Sequence, residues 1–332
     1  MREQSHDARL IAVLKANAYG LGMAEIARVV HPYVDGYAVA YLEEGVSLRA
    51  VYRHTPILLL VYAVEDVSVA VEYNLTLSIS SLDDLMEVTR IVEESNSTID
   101  IELVLNTGMN RYGFNDLSTF SEAIAYITHH NAVRLRGVYS HLFDDDRIHN
   151  IGQMDVFDDF LTHSNSISDI DIKRHICAST GVLGGINRYD TVRLGIGMYV
   201  GGHYGTRDVL SLYSHVQSIR YIKKGEYVGY SCNYRAKCDI MIAIVIGGYA
   251  DGLDRRLRGI DVYIHDMPAT IIGNICMDVF FIDITGIDGV NVGDEVTIIG
   301  GVNTVERVSS HVGITPHELL TAIRGRVKRS YI

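Results

Sequence analysis

Leu10-Ile-Ala-Val-Leu-Lys15-Ala-Asn-Ala-Tyr19-Gly-Leu-Gly22-Met-Ala-Glu-Ile-Ala-Arg-Val-Val30 opens as five apolar residues, crosses a turn of small residues and glycines, and continues with apolar residues at helical spacing. A short apolar run closed by turn residues predicts a strand, and the stretch after it a helix packed on that strand. The same unit recurs to about Val200. Seven further strands are expected at Gly36 to Tyr41, Ile57 to Tyr62, Thr76 to Ser80, Ile101 to Asn106, Leu135 to Leu142, Lys173 to Ala178 and Thr191 to Ile196. Between them the spacing predicts helices at Ala24 to Val30, Glu43 to Val51, Leu82 to Glu94, Leu117 to Thr128 and Gln153 to Ser164. Eight β-α alternations predict an α/β class (β/α)8, TIM-like barrel over residues 1–204, with an open doubly wound sheet as the alternative.

After about Tyr204 the texture changes to strands and turns: Val209 to Ile222, Lys237 to Ile246, Asp261 to Ile264, Ala269 to Ile275, Val279 to Ile284 and Glu295 to Ile299. A separate all-β domain is expected over residues 205–332, ending in a short helix at about Pro316 to Arg324.

Composition narrows the function. The 332 residues are 48% hydrophobic and 21% charged with four prolines, which excludes disorder, collagen and coiled coil. The net charge of -12, without a basic block, argues against nucleic acid and anionic membranes as partners and leaves a small molecule as the default. No apolar run approaches the roughly 18 to 20 residues of a membrane span, and Met1 to His6 lacks the pattern of a secretory signal, so a cytoplasmic location is expected. Cys177, Cys232, Cys238 and Cys276 show no CxxC spacing and are read as reduced thiols; no metal site is expected.

In a β/α barrel, chemistry sits where strands end at the carboxyl face. The first strand ends in Lys15, where an apolar surround would lower the amine's pKa and make it a nucleophile or Schiff-base former; a solvated strand-end lysine is the plainer alternative. Gly20 and Gly22 lack the third glycine of a dinucleotide loop. The loops after the seventh and eighth strands, Ser179-Thr180-Gly181 and Gly195-Ile196-Gly197, offer a hydroxyl and amides for a phosphate. Lysine plus phosphate cradle suggests pyridoxal 5'-phosphate.

With Val-Leu-Lys-Ala-Asn-Ala-Tyr-Gly (13–20), Asn-Thr-Gly-Met-Asn-Arg-Tyr-Gly-Phe (106–114), Tyr-Ser-His-Leu (139–142), Val-Arg-Leu-Gly-Ile-Gly-Met-Tyr (192–199), Val-Gly-Tyr (228–230), Gly-Tyr-Ala-Asp-Gly (248–252), Ile-Cys-Met-Asp (275–278) and Val-Gly-Asp-Glu-Val (292–296), the chain resembles the alanine racemase family of pyridoxal-phosphate enzymes over nearly its whole length. The resemblance implies a homodimer with active sites shared between the barrel of one subunit and the β domain of the other. It implies that Lys15 holds the cofactor covalently and is one catalytic base, with Tyr230 of the second subunit as the other, since racemisation exchanges a proton between opposite faces of a planar carbon. His141 and Arg193 resemble the network that gives the phenol its orientation and charge, and Arg193 the partner of the pyridine nitrogen. Because arginine stays protonated, it favours reprotonation at the α-carbon over transamination. By the same resemblance Arg111, the Met277 amide of the second subunit and Tyr249 meet the amino-acid substrate, and Tyr19, Ser179, Gly195 and Ile196 the phosphate.

The chain departs from the family pattern at Val104, Asn106, Gly325 and Lys328, the last standing where many members have a proline. Val104 and Asn106 stand where many members carry a lysine, often carbamylated, and an Asp, which removes the negative charge that would steer Arg111. Gly325 stands where many members have a tyrosine, and widens the expected substrate pocket toward serine. A pyridoxal-phosphate-binding homeostasis or regulatory protein is the competing reading, but it has no use for Tyr230 and His141. A decarboxylase on a related barrel would want a carboxylate in place of Arg193.

Overall fold

The computed structural model describes residues 8–163, 172–202 and 205–332. The chain splits into two compact units: Met1–Ala18 with Gly22–Gly195, and Tyr19–Leu21 with Ile196–Ile332. The expected boundary at residue 204 lies outside the described residues.

In the first unit the eight strands are β1 (Arg9–Val13), β2 (Gly36–Val39), β3 (Ile57–Leu59), β4 (Thr76–Ile79), β5 (Ile99–Val104), β6 (Val133–Tyr139), β7 (Lys173–His175) and β8 (Thr191–Leu194). They form one parallel sheet in the order β7-β6-β5-β4-β3-β2-β1-β8. Consecutive strands are neighbours throughout and the last returns to the first, which is the TIM-like barrel and excludes the open sheet. The circle is nearly closed: β7 and β8 share no ladder, and Arg193 N donates to Cys177 O at 3.0 Å across that gap.

Strands end one to three residues before the sequence predicts. Apolar spacing reports burial, and burial continues past the last ladder bond: Leu142 and Cys177 are buried although β6 and β7 have stopped. The helices are set by their caps. Ser81 Oγ accepts from Asp84 N at 3.1 Å at the start of Leu82–Glu94, and Asp116 Oδ1 from Thr119 N at 2.9 Å at the start of Leu117–His129. The helix expected at Gln153 to Ser164 runs over Arg147–His163, because Asp146 Oδ1 accepts from the amides of Ile148 and His149 at 2.8 and 3.0 Å and starts it earlier; Ser164 lies outside the described residues.

The second unit is a closed antiparallel barrel with a small hairpin beside it. Its strands are β9 (Leu212–Ile222), β10 (Tyr227–Val228), β11 (Tyr234–Arg235), β12 (Ile240–Ile246), β13 (Asp261–Ile264), β14 (Met267–Ile272), β15 (Val279–Asp283) and β16 (Glu295–Ile299), with β10 and β11 forming the hairpin and the rest ordered β12-β15-β14-β13-β16-β9. Two helices follow, Val305–Val312 and Pro316–Ala322, of which the sequence predicts only the second. Both are capped by threonine: Thr304 Oγ1 accepts from Arg307 N at 3.1 Å, and Thr315 closes a capping box with Glu318. Gly-Tyr-Ala-Asp-Gly is built on close approaches. A Cβ at Gly248 would lie 2.3 Å from the carbonyl oxygens of Cys276 and Met277, and one at Gly252 2.3 Å from that of Ala322. Between them Asp251 accepts from Gly248 N at 2.9 Å and pairs with Arg326 at 3.1 Å. No helix among the described residues is long and apolar enough to cross a membrane.

Candidate active site

Lys15 is not the last residue of β1, which stops at Val13; it opens a turn of opposite hand. Ala16, Asn17 and Ala18 have φ/ψ of 53/48°, 56/47° and 52/55°, and Tyr19 follows at φ 55°. Four consecutive non-glycine residues in the left-handed region are costly, at roughly 1 to 2 kcal/mol each for an ordinary side chain. Local bonds hold the turn: Ala18 N donates to Leu14 O at 2.7 Å and Gly22 N to Asn17 O at 2.9 Å. The Asn17 side chain accepts from Met23 N at 2.8 Å. Glu44 anchors it from outside, accepting from Asn17 N at 3.3 Å with one oxygen and from Ala40 N at 2.8 Å with the other. A lysine leaving a strand into such a turn has its backbone direction fixed on both sides.

Burial lowers the Lys15 pKa, the guanidinium of Arg111 and then that of Arg193 push the same way, and Glu44 opposes them. The structure thus brings Lys15, Arg111 and Arg193 within electrostatic reach of each other, and it supports the reactive-amine alternative over the solvated lysine. Arg111 is exposed, its guanidinium 4.7 Å from the Tyr112 ring centroid, and among the described residues no carboxylate pairs with it. Val104 is buried. Asn106 is fully engaged within its own loop: its Nδ2 donates to Asn110 and Asn115 Oδ1 at 2.8 and 2.7 Å, and its Oδ1 accepts from Gly108 and Asn110 N at 3.1 and 2.9 Å.

Arg193, in β8, is buried in the barrel and tightly held. Nη2 donates to Ser140 O at 2.7 Å and to His141 Nδ1 at 3.0 Å; Nη1 donates to His175 Nδ1 at 2.5 Å and to His175 O at 3.4 Å. Its guanidinium carbon lies 5.0 Å from the Tyr139 ring centroid. Among the described residues Nε makes no hydrogen bond. A guanidinium only donates, so both imidazoles must present a bare Nδ1 to it. The expected pairing of His141 with Arg193 is therefore present. Gly195 N donates to Ser179 Oγ at 3.1 Å, which joins the two expected phosphate loops of this unit.

Sequence reading misses three residues here. His175, fully buried, accepts from Arg193 on one side; on the other its Nε2 lies 2.8 Å from Glu102 Oε2, while Lys173 Nζ donates to Glu102 Oε1 at 2.6 Å. The ring of His175 stacks on Tyr139 with centroids 5.0 Å apart and planes at 10°. Burial pushes the His175 pKa down to about 4, against the pull of Glu102. The Lys173 ammonium and the hydrogen bond from His175 hold the Glu102 carboxyl at about 2 in spite of burial. Glu102 is thus ionised and His175 neutral at pH 7. A charged residue in a strand of apolar neighbours was the available signal for Glu102.

The remaining expected residues lie in the second unit. Tyr19 is buried against Tyr199, with ring centroids 4.9 Å apart, and against His317 at 5.6 Å; Ile196 is buried at the unit's start. Tyr230 is 70% exposed, on a turn where Gly229, Ser231 and Cys232 have φ of 75°, 64° and 51° and where Asn274 Nδ2 donates to Tyr230 O at 3.0 Å. Tyr249 and Met277 are exposed too, and among the described residues the Met277 amide donates to no protein group. At Gly325 a Cβ would meet nothing within 4 Å.

Both parts of the chain match known families: residues 1–202 match the alanine racemase N-terminal domain and residues 209–331 the alanine racemase C-terminal domain. The alanine racemase of Methanococcus maripaludis is 31% identical, over 98% of this chain and 92% of its own. The structure of the alanine racemase of Streptomyces coelicolor superposes with a TM-score of 0.94 at 26% identity, covering 100% of this chain and 93% of that one. That of Bartonella henselae, described with covalently bound pyridoxal phosphate, gives 0.91 at 27% identity, covering 99% and 94%. A near-closed eight-stranded parallel barrel, a second unit built on a six-stranded antiparallel barrel, and near full-length agreement in both sequence and structure place this chain in the alanine racemase family.

Proposed function

We propose that this chain interconverts L- and D-alanine with pyridoxal 5'-phosphate held on Lys15, that it processes serine as well, and that it works as a homodimer supplying D-alanine. The observation that carries the proposal is Lys15 itself: an amine of lowered pKa on a rigid left-handed turn, in reach of a buried arginine.

The residues fit the cofactor. A neutral amine is what a carbonyl group needs, and Arg193 is bonded through Nη1 and Nη2 in a way that leaves Nε as the donor available to a ring nitrogen. Among the described residues no carboxylate touches Arg193, so a pyridine nitrogen placed there receives a hydrogen bond and no proton. Ser179 and Gly195, with Tyr19 and Ile196, are the residues we assign to the phosphate. When bound, the cofactor withdraws electrons from the α-carbon of an attached amino acid and makes its proton removable.

The chain's own groups do the rest. Lys15 Nζ takes or returns the α-proton on one face; burial first, and then the positive charge of Arg111 and Arg193, lower its pKa and so favour the neutral form that a base requires. Tyr230 Oη of a second copy serves the opposite face, which agrees with the exposure of this side chain in a single chain. Arg111 and the Met277 amide of a second copy bind the substrate carboxylate, and Tyr249 lines its approach. His141, accepting from Arg193, orients the tyrosine that serves as base.

Incubation of L-alanine and L-serine with the protein and pyridoxal phosphate, followed by chiral chromatography, should give both enantiomers of each. Lys15→Ala should remove the absorbance of the covalently held cofactor. A borohydride-reducible adduct at another lysine in that variant would overturn the assignment.

A further inference from the structure

Glu102 reaches His175 across the barrel wall. Glu102 lies on β5, opposite Gly137 of β6, and Gly137 lies opposite Lys173 of β7. Carboxylate and partners are therefore two strands apart. The gap is crossed because the middle position has no side chain: a Cβ on Gly137 would lie 3.0 Å from Glu102 Cδ and 3.2 Å from its Cγ. A register shift between Ile101 and Glu102 accompanies this crossing. A glycine, an irregular ladder and a fully buried acid thus coincide in the barrel wall.

Glu102 is ionised and can only accept, so the proton of His175 sits on Nε2 and its Nδ1 carries a lone pair. That lone pair receives the Nη1 proton of Arg193. A hydrogen bond at each end, and stacking on Tyr139, leave the imidazole no freedom to turn, so the acceptor that Arg193 meets is fixed in place. We propose that Glu102 is a positioning residue: through His175 it sets the pose of Arg193, and so of the Nε donor offered to the cofactor ring. Lys173, on the other carboxylate oxygen, balances the charge at the far end of this chain of bonds. The inference rests on the cofactor reading given above.

The competing explanation is that Glu102 merely neutralises Lys173, and four variants separate the two. Glu102→Leu removes the acceptor. Glu102→Gln keeps an oxygen for His175. Gly137→Ala pushes the acid off its path. The double change Glu102→Leu with Lys173→Met removes the ion pair as a unit, which restores stability if the pair is only structural. For each, the measurements are the affinity of the apoenzyme for pyridoxal phosphate by spectral titration, kcat and KM for alanine in the holoenzyme, the 15N signals of His175 in the apoenzyme, and the thermal midpoint.

Glu102→Leu and Gly137→Ala should weaken cofactor binding and lower kcat, by about tenfold to a hundredfold for a donor displaced on the order of an ångström, with little change in KM. Glu102→Gln should keep most of both. In the double variant the thermal midpoint should recover while kcat and cofactor affinity stay low, and the His175 Nε2–H signal should move from its parental position. Recovery of kcat and affinity together with stability would overturn the proposal, as would unchanged 15N signals and cofactor affinity in Glu102→Leu. Failure of the racemase reading itself would look different: the parent protein would not racemise alanine, while titration and 15N signals would still report on Glu102.

Discussion

The left-handed turn after Lys15 makes one substitution behave in opposite ways at two places. Ala16 is exposed at φ 53° and ψ 48°, and Ala125 is exposed within the right-handed helix Leu117–His129. Replacing Ala125 by glycine costs about 0.5 to 1 kcal/mol, since glycine loses more backbone freedom on folding. At Ala16 the same entropy cost is set against relief of the left-handed conformation, roughly 1 to 2 kcal/mol, and the exposed methyl contributes little packing. The net is a gain of about 0 to 1.5 kcal/mol, with the centres of the two ranges differing by about 0.75 kcal/mol. For a unit of this size that central value amounts to a rise of about 1.5 to 3 °C in the thermal midpoint, against a similar fall for Ala125→Gly. Urea unfolding followed by circular dichroism, with the two variants and the parent in parallel, measures both signs. Ala16→Gly less stable than the parent would refute the reasoning, because it would mean that the turn carries no strain for glycine to relieve.

Acid should destabilise the barrel unit in two stages. His175 is held below its usual pKa of 6.5, at about 4, so the unfolded chain binds a proton that the folded one refuses and stability falls as the pH drops from 6.5 toward 4, by about 1 to 3 kcal/mol. Glu102, held below its usual 4.5, adds a further loss from there downward; a urea midpoint independent of pH between 6.5 and 4 would contradict the assignment of a neutral buried His175. Mixing inactive Lys15→Ala with inactive Tyr230→Phe should restore part of the activity, because one site in each mixed dimer would combine both intact residues; verified subunit exchange without recovery would rule out a shared site. Gly325→Tyr, at a position with open space around its Cβ, should lower the serine-to-alanine activity ratio, since discrimination against one small hydroxyl is worth only about 1 to 3 kcal/mol and depends on a filled pocket. Chiral chromatography with both substrates measures that ratio.

The β-α alternation, the change of texture near residue 204 and the lysine followed by Ala-Asn-Ala-Tyr-Gly are legible in the chain itself, because strand and helix periods and turn residues are local properties. Leu82–Glu94 and Asp261–Ile264 are read to the residue for the same reason. Val305–Val312 escapes that reading: its three valines favour a strand, and what makes it a helix is the Thr304 cap, Gly313 closing it at φ 71°, and burial of Val305, Val308 and Val312 on one side. The left-handed turn at Ala16 to Tyr19 could not be foreseen either, since local preference opposes it and bonds from Glu44, 27 residues away, help to hold it. Least legible is the support of Arg193. Glu102 stands 73 residues from His175, and His175 stands 18 from Arg193. They meet only because β5, β6 and β7 are neighbours in the barrel and the strand between carries a glycine at the crossing point. Local sequence decides which segments become strands and which lysine ends up at the turn; only the closing of the barrel decides which buried charges share a low-dielectric interior, and there a single hydrogen bond sets the protonation of an imidazole and the direction of an arginine.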